Sequence, residues 1–249
     1  MNEIRHISVL VEEVLQNLVS AEVGLFVDAT LGGGGHTYHL LNHYRKLRIV
    51  GIDADEVALD IARNSLSEFR DRVTLVRGNF RDLKEILQST GISSIDGILF
   101  DLGTSAYQVL GKRGFSFHDD EALDMRMDTR EGLTASDIVN RYREVDLANV
   151  LYNYGEEEKS RRIAKVIVEA RKKGRINSAK QLADLVSRVK RRTGRIHPAT
   201  KTFQALRIET NRELTALSTA IQTSTEVLNH GARIGIISFH SLWSYWLLR

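Results

Sequence analysis

The sequence predicts an α/β fold in which an inserted all-helical domain interrupts a parallel sheet. Short apolar runs alternate with helical patterns over the early part of the chain, and four glycines follow the first of these runs. Residues 113–200 contain no convincing buried strand and three stretches with helical spacing, and a further apolar run follows near the end of the chain. Strands separated by helices form parallel sheets with helices on both faces.

Each strand is predicted from a short apolar run, and each helix from apolar residues spaced three and four apart. The predicted strands are residues 25–30, 47–53, 73–76, 95–102 and 232–238. The predicted helices are residues 7–19, a helix beginning at 37–42, 57–69, 83–88, 135–152, 156–172, 178–191 and one long helix at 201–229. We expect three segments: the first part of the sheet domain at 1–112, the inserted helical domain at 113–200, and an incomplete second part of the sheet domain at 201–249.

The composition excludes several classes of protein. The 249 residues are 42% hydrophobic and 27% charged, which is ordinary for a globular protein. No run approaches the roughly 20 apolar residues of a membrane span, so we expect no membrane partner and a cytoplasmic protein. The absence of cysteine excludes disulfides, thiolate metal sites and thiol nucleophiles.

Positive charge is concentrated in one segment. Between residues 159 and 201, fifteen lysines and arginines stand against two acidic residues, Glu169 and Asp184. This segment carries +13 and the rest of the chain −10, because the total is +3. A basic segment within an acidic protein is typical of a polyanion-binding surface, and a solvated helix face is the alternative.

A glycine loop and three strand ends predict one ligand crevice. The run 32–35 lies between a predicted strand and helix, but neither the dinucleotide fingerprint nor the P-loop pattern fits it. A tight turn without a ligand is the alternative. Asp53 ends the second strand about 20 residues later, where a carboxylate can accept hydrogen bonds from both ribose hydroxyls. Phe80 follows the third strand and Asp101 ends the fourth, so these side chains should meet at one edge of the sheet.

Motifs in order along the chain carry a family resemblance. They are Asp28-Ala-Thr-Leu-Gly-Gly-Gly-Gly-His36, Gly51-Ile-Asp53, Phe100-Asp-Leu-Gly103, Arg113-Gly-Phe-Ser-Phe117, Leu123-Asp-Met-Arg-Met-Asp128, Tyr154-Gly-Glu-Glu157, the stretch from His197 to Ile208, and Ile237-Ser-Phe-His-Ser241. On these motifs the sequence resembles the bacterial small-subunit (16S) ribosomal RNA cytosine-N4 methyltransferase family, called MraW or RsmH. The motifs fall in both the sheet and the insertion.

The resemblance implies a Rossmann-like class I methyltransferase sheet that binds S-adenosyl-L-methionine, with an insertion that recognises RNA. It implies methylation of the exocyclic amine of a cytidine in the decoding region of 16S rRNA, within the small ribosomal subunit. Carried over by position, the implied cofactor contacts are Gly34, Gly35, His36, Asp53, Phe80, Asp101 and Gln108. The loop at 104–107 reads Thr-Ser-Ala-Tyr where many members have Val-Ser-Ser-Pro, while Gln108 is retained.

The basic segment and the resemblance together indicate RNA-facing residues. Cations supply phosphate contacts, and an unpaired cytidine enters a pocket more easily than a stacked one. The candidates are Arg113, Arg126, Arg188, Lys190, Arg191, Arg192, His197, Lys201 and Arg207. For Phe115 and Phe117 we expect a place in the core of the helical domain.

The chain departs from the family pattern after Leu242. Members typically continue Glu-Asp-Arg-Ile-Val-Lys, whereas this sequence reads Trp-Ser-Tyr-Trp-Leu-Leu-Arg up to residue 249. We expect the last sheet strands to be missing, in a truncated or frame-shifted product or in a natural short variant. Activity of this chain is therefore a separate question from its family.

Methyl transfer from a sulfonium to an amine depends mainly on alignment of the nitrogen, the methyl carbon and the sulfur. We expect no metal, since the flanks of His36, His197 and His240 lack the paired spacing of zinc ligands. The N4 lone pair is delocalised into the cytosine ring, so an acceptor for the amino hydrogens would localise it. The candidate acceptor is Asp101 or a backbone carbonyl of residues 102–105, and a role of Asp101 toward the cofactor alone is equally open.

Three other functions compete with this one. Methylation at cytosine C5 is disfavoured because attack on C6 ordinarily uses a cysteine thiolate. A nicotinamide-dependent oxidoreductase is disfavoured by the failed fingerprint. A catalytically impaired form that only binds RNA and cofactor is favoured if the missing strands are essential.

Overall fold

The computed structural model describes residues 8–19, 24–117, 120, 122–130, 132–192, 194 and 196–238. His240 and the divergent segment after Leu242 lie outside these described residues. The chain divides into two compact units. The sheet unit comprises Met1–Ser105 and Leu214–Arg249, and the helical unit comprises Ala106–Glu213.

The sheet unit contains five described strands, β1 (Leu25–Asp28), β2 (Arg48–Asp53), β3 (Val73–Arg77), β4 (Ile95–Leu102) and β5 (Leu228–Ser238). They form one parallel sheet in the order β3-β2-β1-β4-β5, which confirms the predicted α/β class. The chain winds outward from β1 in one direction and then from β4 in the other. In an open parallel sheet, the carboxyl ends at such a reversal form the usual ligand crevice.

The helices supply the layers around the sheet and the whole of the helical unit. They are α1 (Val11–Leu18), α2 (Gly35–His43), α3 (Glu56–Ser65), α4 (Leu83–Ser89), α5 (Ala106–Leu110), α6 (Ala135–Arg141), α7 (Glu144–Gly155), α8 (Ser160–Arg171), α9 (Ala179–Val189), α10 (Thr200–Asn211) and α11 (Glu213–Val227). None of the helices in the described ranges is long and apolar enough to cross a lipid bilayer.

Both faces of the sheet are covered. Phe26 and Leu99 face a core formed with α1, α2 and α3, whereas Val27 and Phe100 face a core formed with α4 and α11. All four side chains are fully buried. Burial on both faces explains why these strands appear in the sequence as continuous apolar runs rather than as alternating patterns.

The helical unit has its own core, built mainly from α6 to α10. Its α6 begins with a reciprocal cap, in which Thr134 and Asp137 bind each other's backbone amides. Phe115 and Phe117 pack against this core, as the sequence predicted.

The single long helix predicted at 201–229 is wrong. Arg212 adopts a left-handed conformation with φ of 49°, which ends α10 before α11 begins. Helices that end with a left-handed residue usually have glycine or asparagine there, so Arg212 did not indicate a helix end. The strand after α11 also begins earlier than predicted, at Leu228 rather than at residue 232. Because the helical unit runs from 106 to 213, it includes α5 and α10 beyond the segment predicted from the sequence.

Candidate active site

The loop after β1 requires glycine. Gly34 precedes α2 with φ of 83°, and no side chain caps the helix there. A Cβ at Gly34 would lie 2.9 Å from Leu66 Cδ1, in a conformation that other residues rarely adopt. Gly32 also has a positive φ, of 54°. The helix therefore begins with backbone N–H groups that no side chain caps, as at many anion-binding helix termini.

Asp53 ends β2 and binds two backbone amides. The Gly32 N–H donates to Oδ2 at 2.7 Å, and the Asp55 N–H donates to Oδ1 at 2.8 Å. The first of these hydrogen bonds ties the glycine loop to the end of β2. Desolvation by burial raises the pKa of Asp53 to about 6, although both amide hydrogen bonds lower it. Carboxylate oxygens have two lone pairs each, so Asp53 retains capacity to accept further donors.

Asp28 ends β1 and is almost completely buried. The Thr37 hydroxyl donates to its Oδ2 at 2.7 Å, while Oδ1 has no hydrogen-bond partner among the described residues. Burial raises the pKa of Asp28, and the neighbouring His36 opposes this. The sequence reasoning assigned no role to Asp28, although it ends its strand as Asp53 and Asp101 end theirs.

His36 lies in the first turn of α2 and reaches the end of β4. Its Nε2 is 3.5 Å from Asp101 Oδ2, and the two side chains are only 7% and 18% exposed. Neither ring nitrogen of His36 has a hydrogen-bond partner within the described part of the chain. The Asp101 N–H donates to Thr30 Oγ1 at 2.6 Å, which fixes the end of the strand. Buried polar atoms without partners are uncommon, and a ligand is one explanation for them.

Phe80 follows β3, in a short 3-10 helix that the Asn79 side chain caps. Its ring packs edge-to-face against Phe100, with ring centroids 5.7 Å apart. Gln108 is buried and lies in α5, which belongs to the helical unit. Its role toward a cofactor stays a prediction.

The carboxyl edge of the sheet unit therefore brings together most of the residues predicted for a cofactor. These are Gly34, Gly35, His36, Asp53, Phe80 and Asp101.

Three arginines predicted to face RNA make contacts inside the helical unit. Arg126 forms a bidentate pair with Asp124, at 2.7 Å and 2.8 Å. Arg207 pairs in the same way with Glu213, at 2.7 Å and 3.0 Å. Arg113 donates to the backbone carbonyl of Arg126 at 3.1 Å. These guanidinium groups thus hold parts of the unit together, and a contact with RNA stays a prediction.

Two further candidates also have partners within the unit. Lys190 Nζ lies 2.9 Å from Glu157 Oε2, and the Glu157 side chain is only 2% exposed. His197 stacks on Phe117 with centroids 4.6 Å apart and ring planes 11° from parallel.

The remaining candidates lie nearer the solvent. Arg188, Arg191 and Arg192 are exposed, and Lys201 Nζ donates to the Glu156 carbonyl at 2.9 Å. A count of charges along the sequence does not distinguish these cations from the cations that form ion pairs, because the pairing depends on the tertiary fold.

A parallel sheet with this strand order, a glycine loop after its first strand and acidic residues at its carboxyl edge defines a Rossmann-like fold with a nucleotide-type ligand crevice. The MraW methylase family matches residues 3–244. The chain belongs to this family.

Curated relatives agree over most of the chain. "Ribosomal RNA small subunit methyltransferase H" of Sulfurihydrogenibium sp. (strain YO3AOP1) is 50% identical over 242 residues, which cover 96% of this chain and 83% of the relative. The protein of the same name from Brevibacillus brevis is 46% identical and covers 95% of this chain and 77% of the relative. A solved O-methyltransferase family protein from Burkholderia thailandensis is 14% identical, with a TM-score of 0.32 over 72% of this chain and 48% of that one, and adds nothing to the assignment.

Proposed function

We propose that this methyltransferase transfers a methyl group from S-adenosyl-L-methionine to N4 of a cytidine in the decoding region of 16S rRNA. The substrate would be the small ribosomal subunit in the bacterial cytoplasm. The printed names of the relatives support a small-subunit rRNA substrate. The observation that carries the chemistry is the convergence of the glycine loop, Asp53 and the His36–Asp101 pair at one sheet edge.

The residues at this edge fit an adenosyl sulfonium. His36 has both ring nitrogens free of hydrogen bonds, and Asp28 has one free buried oxygen, among the described residues. Gly34 and Gly35 would approach the cofactor through their backbone, because a side chain at Gly34 would meet Leu66. When bound, this group supplies an activated methyl on a positively charged sulfur.

Three other cofactor contacts are proposed from residue chemistry and from the family pattern. Asp53 would accept the ribose hydroxyls, since its two oxygens are already oriented by backbone amides. Phe80 would pack on the adenine, and Gln108 would bind a remaining polar group of the cofactor.

Asp101 is the proposed acceptor for the cytosine amine. Its carboxylate lies at the end of β4, with its backbone fixed by Thr30. A carboxylate that accepts a hydrogen bond from N4–H localises the lone pair on the nitrogen, and it takes up the one proton that N4 loses when it is methylated. His36 at 3.5 Å balances its charge when protonated. The alternative acceptor is a backbone carbonyl of residues 102–105.

The competing proposal is a protein that binds RNA and cofactor without catalysis. Purified chain, small subunits that lack the modification and labelled S-adenosyl-L-methionine separate the two. Incorporated label supports the enzyme. Retention of the subunits without label, at saturating cofactor, would support the binding protein instead.

A nicotinamide-dependent oxidoreductase makes a different prediction for ligand binding. Calorimetry should detect binding of S-adenosylhomocysteine and no binding of NAD. Tight binding of NAD together with no binding of S-adenosylhomocysteine would overturn the proposed function.

A further inference from the structure

Helix α8 of the helical unit has one strongly cationic exposed face. Arg161, Arg162 and Lys165 are exposed, whereas Ile163 and Ile167 are buried in the core of the unit. With 3.6 residues per turn, the three cations lie within an arc of about 100° on the side opposite the core. They therefore form one patch rather than a belt around the helix.

The three cations of this patch differ from the exposed cations of the unit that form ion pairs, and in this respect they resemble exposed Arg188 and Arg191. Arg161, Arg162 and Lys165 have no hydrogen bond or ion pair within the described part of the chain, although Lys165 interacts electrostatically with Glu169, which pairs with Lys172 at 2.7 Å. Other exposed cations of the helical unit have carboxylate partners at 2.6–3.3 Å: Arg141 with Asp137, Arg143 with Asp146 and Lys180 with Asp184. A cation without a partner can bind a phosphate without first giving up an ion pair.

The position of the patch on its helix is electrostatically unfavourable for the isolated protein. α8 begins without a side-chain cap and has no acidic residue in its first turn, where Arg161 and Arg162 lie. The positive end of the helix dipole repels cations and attracts anions. Residues that are unfavourable for the stability of their local structure are expected mainly at functional sites.

The acidic residues before α8 do not neutralise the patch. Glu157 is buried, pairs with Lys190 and accepts the Lys159 N–H at 3.2 Å just before α8, while Glu156 and Glu158 are exposed in the preceding turn. A bound phosphate would satisfy both the uncapped helix terminus and the guanidinium groups, which bind phosphate through two parallel hydrogen bonds.

We propose that Arg161, Arg162 and Lys165, together with the first turn of α8, form a phosphate-binding surface for the ribosomal RNA substrate. All three lie in the basic segment between residues 159 and 201, although none was among the individual RNA-facing candidates expected from the sequence. The proposal rests on the proposed function, because it takes the polyanion to be RNA of the small ribosomal subunit.

The test compares two triple variants that remove the same positive charge. In one, Arg161, Arg162 and Lys165 are changed to glutamine. In the matched control, the paired cations Arg141, Arg143 and Lys180 are changed to glutamine. Kd for small ribosomal subunits that lack the modification is measured at several salt concentrations, and Kd for S-adenosylhomocysteine is measured by calorimetry.

The α8 variant should bind subunits at least tenfold more weakly, with a salt slope lower by about 2 to 3, since each lost phosphate contact removes roughly 0.7–0.9 from the slope. The control should change Kd by less than about threefold, and both should bind S-adenosylhomocysteine normally. Glu158→Gln, which removes a carboxylate that repels the same phosphates, should lower the Kd for subunits.

Three results would overturn the proposal. Equal losses of subunit binding in both triple variants would show that net positive charge, and not the position of these three cations, determines binding. Unchanged subunit binding by the α8 variant, with methyl transfer intact, would refute this surface and leave the proposed function standing. Failure of the unmutated chain to bind subunits would refute both, whereas binding without methyl transfer would refute the proposed function alone.

Discussion

His36 Nε2 lies 3.5 Å from Asp101 Oδ2, so the glycine loop after β1 and the carboxyl end of β4 meet through one largely buried pair of side chains. The loop is the proposed cofactor element, and the strand end is the proposed acceptor element. The His36–Asp101 pair thus connects the loop that would hold the methyl donor with the carboxylate that would take the amine proton. This arrangement makes Asp101 the residue whose role is easiest to test.

Asp101→Asn should lower kcat by about 100-fold, because general acid–base groups typically contribute that much or more. Its Kd for S-adenosylhomocysteine should stay within about threefold of the unmutated value. Single-turnover methyl transfer and calorimetry provide the two measurements. A weakened Kd with an unchanged rate at saturating cofactor would instead assign Asp101 to the cofactor alone and the acceptor role to a backbone carbonyl.

Cofactor binding should depend on pH through Asp53. Its pKa is raised to about 6 by burial, so the carboxylate is ionised above that pH and protonated below it. Ribose hydroxyls donate to the ionised form, and binding should therefore weaken as the pH falls below about 6, by at most tenfold per pH unit. Calorimetric titrations with S-adenosylhomocysteine between pH 5 and pH 8 measure this.

Two variants of Asp53 are the controls for that profile. Asp53→Asn should bind the cofactor weakly at every pH and lose the decline below pH 6. Asp53→Ala should also weaken cofactor binding while leaving RNA binding intact. The same decline in Asp53→Asn would assign the titration to another group.

Lys190 should matter for stability more than its neighbours do. It pairs at 2.9 Å with Glu157, whose side chain is only 2% exposed. Lys190→Met leaves that carboxylate buried without its cation, which should lower the free energy of unfolding by about 3 kcal/mol. Combining it with Glu157→Gln should restore most of the loss in urea unfolding. A double variant as unstable as Lys190→Met would show that packing, not the charge, causes the effect.

Arg188, Arg191 and Arg192 form a basic cluster at the end of α9 and just after it. Because Lys190 is paired with Glu157, this cluster is tested with Lys190 left unchanged. Neutralising Arg188, Arg191 and Arg192, but not Lys190, should weaken RNA binding and its salt dependence without destabilising the unit. Cofactor binding should stay unchanged. Normal RNA binding with the usual salt slope would refute a role for this cluster.

Asn211 should be a stability determinant that the sequence did not reveal. Its Nδ2 donates to the Met125 carbonyl at 2.8 Å, and its Oδ1 accepts from the Met127 N–H at 2.7 Å. Met125 has a positive φ of 59°, so this segment needs outside support. Asn211→Ala should lower the free energy of unfolding, measured in urea, by about 1–3 kcal/mol. Asn153→Ala, at an exposed position, should lower it by less than about 0.5 kcal/mol. Equal costs would contradict this role.

The sheet and its ligand edge were predictable because local sequence specifies them. The strands ending at Asp53 and Asp101 appear as apolar runs that stop at an acidic residue, and the glycine loop marks the turn before α2. The break at Arg212 was not predictable, since its left-handed conformation follows from packing and not from a glycine or asparagine.

Contacts between distant residues account for most of what the sequence could not reveal. Thr37 and Asp28 form their hydrogen bond only when α2 packs on β1. The arginine pairs at Arg126 and Arg207 likewise depend on the folded helical unit. Charge counts identified the basic segment, but only the fold separates paired cations from those of α8.

The most direct test of the central claim is mass mapping of the nucleoside that this chain methylates in unmodified small ribosomal subunits. The account predicts one N4-methylcytidine in the decoding region of 16S rRNA, formed about 100-fold more slowly by Asp101→Asn and more slowly by the α8 variant at subsaturating subunits. A methyl group at another atom or another region, or no methyl group despite bound cofactor and RNA, would contradict it.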